Sequence, residues 1–220
     1  MANICLVGGG SSAHVLAALL GSSGHKVSIL CRRPNEWRQT VTADYIDTLT
    51  SRVVETYHGA VERASSAPQN VTADADVIIL CMPVSSYRSA LHNLSDHLRS
   101  DRPVFVGAIY GQGGFNWMVD EAFSKKGVSK NIIPFAVGLL PWICRTSEYG
   151  SSAMIYGEKK RNIVALYSEE HFSELNDMLL KDISERRFGH GEFHWSDNFL
   201  ALTLSVDNQI IHTSRMYSLY

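Results

Sequence analysis

Ile4-Cys5-Leu6-Val7-Gly8-Gly9-Gly10-Ser11-Ser12-Ala13, continued by His14-Val15-Leu16-Ala17-Ala18-Leu19-Leu20, orders the rest of the chain around itself. An apolar run of strand length enters a Gly-x-Gly-x-x-Ala turn and a helical run leaves it, the context that a dinucleotide fingerprint requires. Gly8 permits the tight turn off the strand. Gly10 lets a diphosphate approach the backbone where a Cβ would block it, and Ala13 is small enough for the helix to pack on the strand. Backbone N–H groups around Ser11, Ser12 and Ala13 then face the phosphates at the positive end of the helix dipole.

The next strand bears on which dinucleotide is expected. After the turn Gly21-Ser22-Ser23-Gly24-His25, Lys26 to Leu30 reads as strand two and runs into Cys31-Arg32-Arg33-Pro34. An NAD-selective site has an Asp or Glu here for the ribose 2′-hydroxyl, and this strand end carries none. Arg32 and Arg33 stand in that place, where guanidinium groups can grip a 2′-phosphate in two-pronged fashion. NADP(H) is therefore favoured over NAD(H), the alternative being that both arginines are solvated loop residues.

The chain has 220 residues, 45% hydrophobic and 19% charged, ordinary values for a globular protein with room for one packed domain and the start of another. A net charge of -2 gives no reason to expect nucleic acid or a membrane surface as partner. Met1-Ala2-Asn3 has no basic n-region, and no apolar run reaches the ~18 residues of a membrane span, so the expectation is a cytoplasmic protein. Cys5, Cys31, Cys81 and Cys144 lack metal or redox spacing and read as unpaired thiols.

Strand and helix signals alternate through the remainder. Val53 to Tyr57 is a short β-rich run, and Val77 to Cys81 a buried strand that ends at Met82-Pro83. Its carboxyl end is where a doubly wound sheet binds ligand, so Met82, Pro83 and Val84 are expected to line the cofactor. Tyr87 to Leu98 has helical spacing, and Val104 to Ile109 reads as a strand. Tyr110-Gly111-Gln112-Gly113-Gly114 follows as a turn that either borders the nicotinamide or is a plain loop. Ile132 to Trp142 reads as one outer strand whose prolines mark an edge or bulge. Ala153 to Tyr156 and Asn162 to Leu166 read as an antiparallel pair, and Glu169 to Lys181 as a helix. The pattern predicts an α/β fold of the Rossmann type: a doubly wound, mostly parallel sheet with an added antiparallel edge. Residues 1–203 form the dinucleotide-binding domain and 204–220 begin a helical second domain.

Two further positions carry candidate chemistry. Asn208 and His212 are four apart, on one face if helical, and an imidazole can pass the proton that accompanies a hydride transfer. The bland alternative is a histidine hydrogen-bonded within a helix face. Arg145 could grip a substrate carboxylate or be an ordinary surface arginine. His25, His58, His92 and His97 fall in turns or on polar faces and are assigned no role.

Taken together, Gly8 to Leu20 with Arg32-Arg33-Pro34, Gly111 to Gly114, Leu140-Pro141-Trp142 with Arg145, Tyr156 to Lys160, and Asn208 to His212 resemble the octopine/nopaline (opine) dehydrogenase family. The resemblance spans essentially the whole chain. It implies an N-terminal Rossmann domain joined to a C-terminal helical domain, and reductive condensation of an amino acid with a 2-oxo acid by NADH or NADPH. It further implies that His212 acts as acid/base and that Asn208 helps position the substrate. Two departures stand out: Thr213 follows the histidine where family members often have Pro, and the sequence stops where the helical domain is only beginning.

That ending leaves three readings. The chain is the cofactor-binding part of an opine-type oxidoreductase, or a related two-domain dehydrogenase of a hydroxy acid or sugar phosphate, or a non-catalytic NADP(H)-binding sensor. The apolar run Phe199 to Leu204, with Ile210 and Ile211, calls for a covering partner, either a missing domain or a second copy in a homodimer.

Overall fold

The computed structural model describes residues 1–124, 131–184 and 191–204. Strand β1 (Asn3–Val7) lies between β2 (Lys26–Leu30) and β5 (Val77–Leu80), parallel to both, with Leu6 opposite Ile29 on one side and Ile79 on the other. These strands are nearly continuous apolar runs because both faces of a parallel sheet are covered. Beyond β5 come β6 (Val104–Ala108) and β7 (Ile132–Val137), also parallel, then β10 (Arg161–Ala165), antiparallel, and β11 (Glu192–Ser196) at the edge.

On the other flank β2 pairs with β4 (Arg52–Ser65), a strand of 14 residues that does two jobs. Val61–Ser65 continues the parallel sheet, while Arg52–Ala60 pairs antiparallel with β3 (Thr40–Asp47). β9 (Ser152–Glu158) then adds to β3 and β8 (Trp142–Glu148) closes the row, giving, among the described residues, one sheet of 11 strands in the order β11-β10-β7-β6-β5-β1-β2-β4-β3-β9-β8.

Helix α1 (Ser11–Ser22) touches β1 and β2 and also β3, β4, β8 and β9. Every residue from Ala13 to Leu20 is buried, His14 included, which explains a helix apolar on all sides. Contact with β4 is backbone to backbone: a Cβ on Gly59 would lie 2.1 Å from the Ala17 carbonyl oxygen, and one on Gly21 would lie 2.6 Å from the Ala60 nitrogen. The opposite face of the sheet carries α2 (Gln69–Thr72), α3 (Tyr87–Leu94) and α4 (Phe115–Ser124) over a second core that includes Tyr87, Phe115 and Phe123. Helix α5 (Glu169–Leu175) continues through a π turn at Asn176–Leu180 into α6 (Lys181–Ser184), and α7 (Phe199–Thr203) ends the described chain.

The expected doubly wound, mostly parallel sheet with an antiparallel edge is present, with three corrections of detail. The run Ile132 to Trp142 is two strands, not one; β7 lies inside the sheet between β6 and β10, and β8 is the opposite edge. β9 and β10 do not pair with each other: β9 joins β3 and β8, and β10 joins β7 and β11. The Val53–Tyr57 run is only part of β4, and its partner β3 carried no sequence signal strong enough to assign. His25 is also buried, accepting from the Ala2 N–H at Nδ1 and bonding Asp182 through Nε2 at 2.8 Å. The boundary near 204 falls where the described residues end.

Candidate functional site

The chain leaves β1 toward β2 on one side and returns through β5 on the other, so a crevice opens at the carboxyl ends of β1, β2 and β5. Gly8 turns off β1 with φ of 131°, its N–H donating to the Leu30 carbonyl at 2.9 Å, and a Cβ there would sit 2.3 Å from the Cys81 carbonyl oxygen. Gly8 is therefore required by the fold itself. Gly10 is different: it is exposed and its hypothetical Cβ meets only one atom, at 3.9 Å. No protein group needs a glycine there, so the free space in front of it is the property to explain.

Helix α1 begins at that space. The Ala13 and His14 N–H groups bond the Gly10 carbonyl, whereas those of Ser11 and Ser12 donate to no protein acceptor among the described residues. Unpaired N–H groups at the positive end of a 12-residue helix, facing an open cradle, fit a diphosphate. Ala13 is fully buried against the core, as the fingerprint requires. Cys81, Met82 and Pro83 follow β5 on the near flank of the cradle, Pro83 exposed and Met82 half-buried.

Arg32 and Arg33 emerge on the other flank, and both are exposed. Arg33 is held: its guanidinium stacks over the Tyr149 ring at 3.7 Å and its Nη1 donates to Glu36 Oε2 at 3.0 Å. Glu36 belongs to a 3-10 turn, Pro34–Glu36, which brings its carboxylate alongside the Arg33 guanidinium. Sequence inspection of the strand end alone missed this carboxylate, although the three-residue spacing after Pro34 was available as a signal.

Tyr149 arrives on the turn between β8 and β9, which folds over the start of α1. The Thr146 N–H donates to Ser11 Oγ at 2.9 Å, and a Cβ on Gly9 would lie 2.5 Å from the Tyr149 hydroxyl. His14 locks the turn in place: its Nδ1 bonds the Gly10 carbonyl at 2.9 Å and its Nε2 accepts from the Gly150 N–H at 2.7 Å. That second bond requires an unprotonated Nε2, and burial lowers the His14 pKa below the usual imidazole range despite the opposing pull of the Gly10 carbonyl. Trp37 stacks on His14 at 4.4 Å and donates Nε1–H to the Tyr149 hydroxyl at 3.4 Å. Only the polar residue at position 14 inside an apolar helix hinted at this cluster in the sequence.

The second glycine cluster is bound into the structure. Gly113 abuts Val84, while the Gln112 Nε2 amide donates to Gly138 O at 2.9 Å and to Leu202 O at 2.8 Å, tying the loop to α7. In α7, Phe199 and Leu202 are buried, and Leu200 and Leu204 remain exposed. Arg145 lies exposed on β8, donating to the carbonyl of its neighbour Cys144. Asn208 and His212 lie outside the described residues. All four cysteines are buried and unpaired, and burial pushes the Cys5 thiol up to about 12 and the Cys144 thiol up to about 11. Among the described residues no helix is long and apolar enough to cross a membrane, and no group of side chains could hold a metal ion.

A family model described as NADP oxidoreductase coenzyme F420-dependent matches residues 3–105. Octopine dehydrogenase of Pecten maximus is 28% identical over 164 residues, which cover 71% of this chain and 40% of that protein. An uncharacterized protein of Sinorhizobium fredii is 22% identical over 98% of this chain and 56% of its own length. Among solved structures, octopine dehydrogenase with NADH and L-arginine superposes with a TM-score of 0.78 at 18% identity, over 96% of this chain and 52% of the other. Yersinopine dehydrogenase with NADP+ bound gives 0.71 at 14% identity, over 92% of this chain and 49% of the other. The chain thus spans about half the length of the relatives it matches, and it is similar to the N-terminal, NAD(P)-binding part of opine dehydrogenases.

Proposed function

We propose that this chain is the cofactor-binding part of an NAD(P)-dependent dehydrogenase of the opine type, joining an amino acid and a 2-oxo acid. The observation that carries this is the cradle at Gly10, open in front of two unpaired N–H groups at the start of α1. Gly8 and Ala13 shape the loop, Ser11 and Ser12 present N–H groups to the diphosphate, and Met82 and Pro83 flank the path toward the nicotinamide. Arg32 and Arg33 address the adenosine ribose, where they favour NADP(H) over NAD(H). When bound, the nicotinamide supplies or accepts a hydride. His212 is the proposed acid/base and Asn208 its partner in positioning substrate, with Arg145 a candidate for a substrate carboxylate.

Solved structures of octopine dehydrogenase with arginine, agmatine or pyruvate support small polar acids and amines as the substrate class. Residues 1–203 are proposed as the dinucleotide-binding domain and 204–220 as the start of the second. The exposed Leu200 and Leu204 then pack on that second domain or on a partner copy. Four unpaired buried thiols support a reducing, cytoplasmic setting. A related reductase acting on a hydroxy acid is the second reading, supported by a TM-score of 0.61 to a putative 2-dehydropantoate 2-reductase from Enterococcus faecalis.

Calorimetric titration of the chain with NADPH and with NADH tests the proposal. Saturable binding that is lost in Gly10→Val, with thermal stability unchanged, is the expected outcome. Equal binding by the variant removes the diphosphate site from Gly10 and with it the dinucleotide reading.

A further inference from the structure

Arg33 is presented by a device assembled from three distant parts of the chain. Its guanidinium rests on a ring that is fixed from several directions: Trp37 donates to the Tyr149 hydroxyl, His14 meets the ring edge-on at 5.5 Å, and the Gly150 N–H next to it donates to His14. The platform is therefore anchored to buried α1. Glu36 is the opposite case, a half-exposed side chain on a short turn, held by a backbone bond from its N–H to the Arg33 carbonyl at 3.3 Å, whose carboxylate meets the Arg33 guanidinium in one ion pair at 3.0 Å.

With its central carbon 3.7 Å from the ring centroid, the guanidinium is held over the Tyr149 face, and its N–H groups at the rim are the ones a phosphate or a carboxylate can accept from, two at a time. Glu36 already accepts from one edge. An incoming phosphate monoester carries about 1.5 to 2 negative charges against one for the carboxylate, so it can displace Glu36, but only after breaking the existing pair. A ribose hydroxyl cannot displace it.

We propose that Tyr149 and Glu36 set the preference of the site between NADPH and NADH: Tyr149 holds the Arg33 guanidinium ready for a 2′-phosphate, and Glu36 occupies the phosphate's place and so limits the preference. The assignment rests on the dinucleotide reading above. It makes the specificity of the strand-two loop depend on a residue 116 positions further along, on a different part of the sheet.

The test is equilibrium binding of NADPH and NADH to the unaltered chain and to Tyr149→Leu, Tyr149→Phe and Glu36→Gln, followed by tryptophan fluorescence and calorimetry. Tyr149→Leu is expected to weaken NADPH roughly tenfold while NADH shifts less than about twofold, and Tyr149→Phe, which keeps the ring, retains the original ratio. Glu36→Gln, a surface change that leaves folding intact, is expected to tighten NADPH by about three- to tenfold and leave NADH unmoved. Equal weakening of both cofactors in Tyr149→Leu would show a merely structural tyrosine and overturn the assignment. So would an unchanged cofactor ratio in Glu36→Gln, with the dinucleotide site itself left standing. Binding of neither cofactor by the unaltered chain overturns that site first and this assignment with it.

Discussion

Helix α1 is covered on two sides by strands of contrasting character. On one side β1, β2 and β5 are short, parallel and apolar throughout; on the other β3, β4, β8 and β9 are longer, mixed in direction and half polar. The parallel side builds the cradle at Gly10, and the mixed side brings Tyr149, Thr146 and Gly150 over it. The contrast teaches that the fingerprint loop is only half of this site. The other half is delivered by chain that lies more than a hundred residues away.

The two sides meet where α1 packs on β4. Gly59→Val would drive a side chain into the Ala17 and Ala18 backbone, where no rotamer change can relieve it. The expected cost is about 3 kcal/mol or more, a drop of roughly 6–12 °C in melting temperature. Gly157→Ala is the control, because a Cβ there meets nothing within 4 Å. Equal melting temperatures for the two variants would refute the tight contact between α1 and β4.

Gly10→Val and Gly8→Val separate a binding glycine from a folding glycine within the loop. Gly8→Val should lose both stability and binding, given its φ of 131° and the nearby Cys81 carbonyl. Gly10→Val should lose at least about 100-fold in dinucleotide affinity, roughly 2.7 kcal/mol, with little change in melting. A shared loss of stability would make Gly10 a folding residue.

His14 links the two sides through a neutral ring, which makes the link sensitive to acid. Its pKa is lowered in the folded chain, so the unfolded chain takes up the proton first as pH falls. The stability it contributes is fully present above the ordinary value of 6.5 and is lost as pH drops from there through the folded value. Melting temperature between pH 7.5 and pH 5 should therefore fall more steeply for the unaltered chain than for His14→Phe. Parallel curves would rule out His14 as the titrating link.

The smallest effect concerns the cysteines. With the Cys5 thiol pushed up to about 12 and buried, and the other three also buried, the folded chain should react with a thiol reagent only at its opening rate. Rapid labelling of one thiol at neutral pH would locate a mobile region in the core around α1 or β5.

The parallel half was legible because its signal is local. Val77-Ile78-Ile79-Leu80 and Ile4-Cys5-Leu6-Val7 are continuous apolar runs, and Gly8, Gly10 and Ala13 have assignable tasks wherever such a turn occurs. The mixed half was largely hidden. Thr40 to Asp47 alternates weakly and carries two aspartates, and its ordering depends on pairing Thr42 with Ser152, a contact no local window contains. The runs that form β9 and β10 read locally as an antiparallel pair for the same reason: two strand-like runs close in sequence do not say which neighbours each will find.

A strand, a glycine turn and an apolar helix at the start are legible in the sequence, and with them the expectation of a nucleotide-binding edge and a family resemblance. Those properties follow from backbone sterics and hydrophobic period, which act over a few residues. That α1 is enclosed by two flanks of one sheet, that Glu36 reaches Arg33, and that Tyr149 lies beneath it follow from long-range packing. Those contacts depend on where a curled sheet of 11 strands places distant turns, and that placement is set by packing, not by any local pattern.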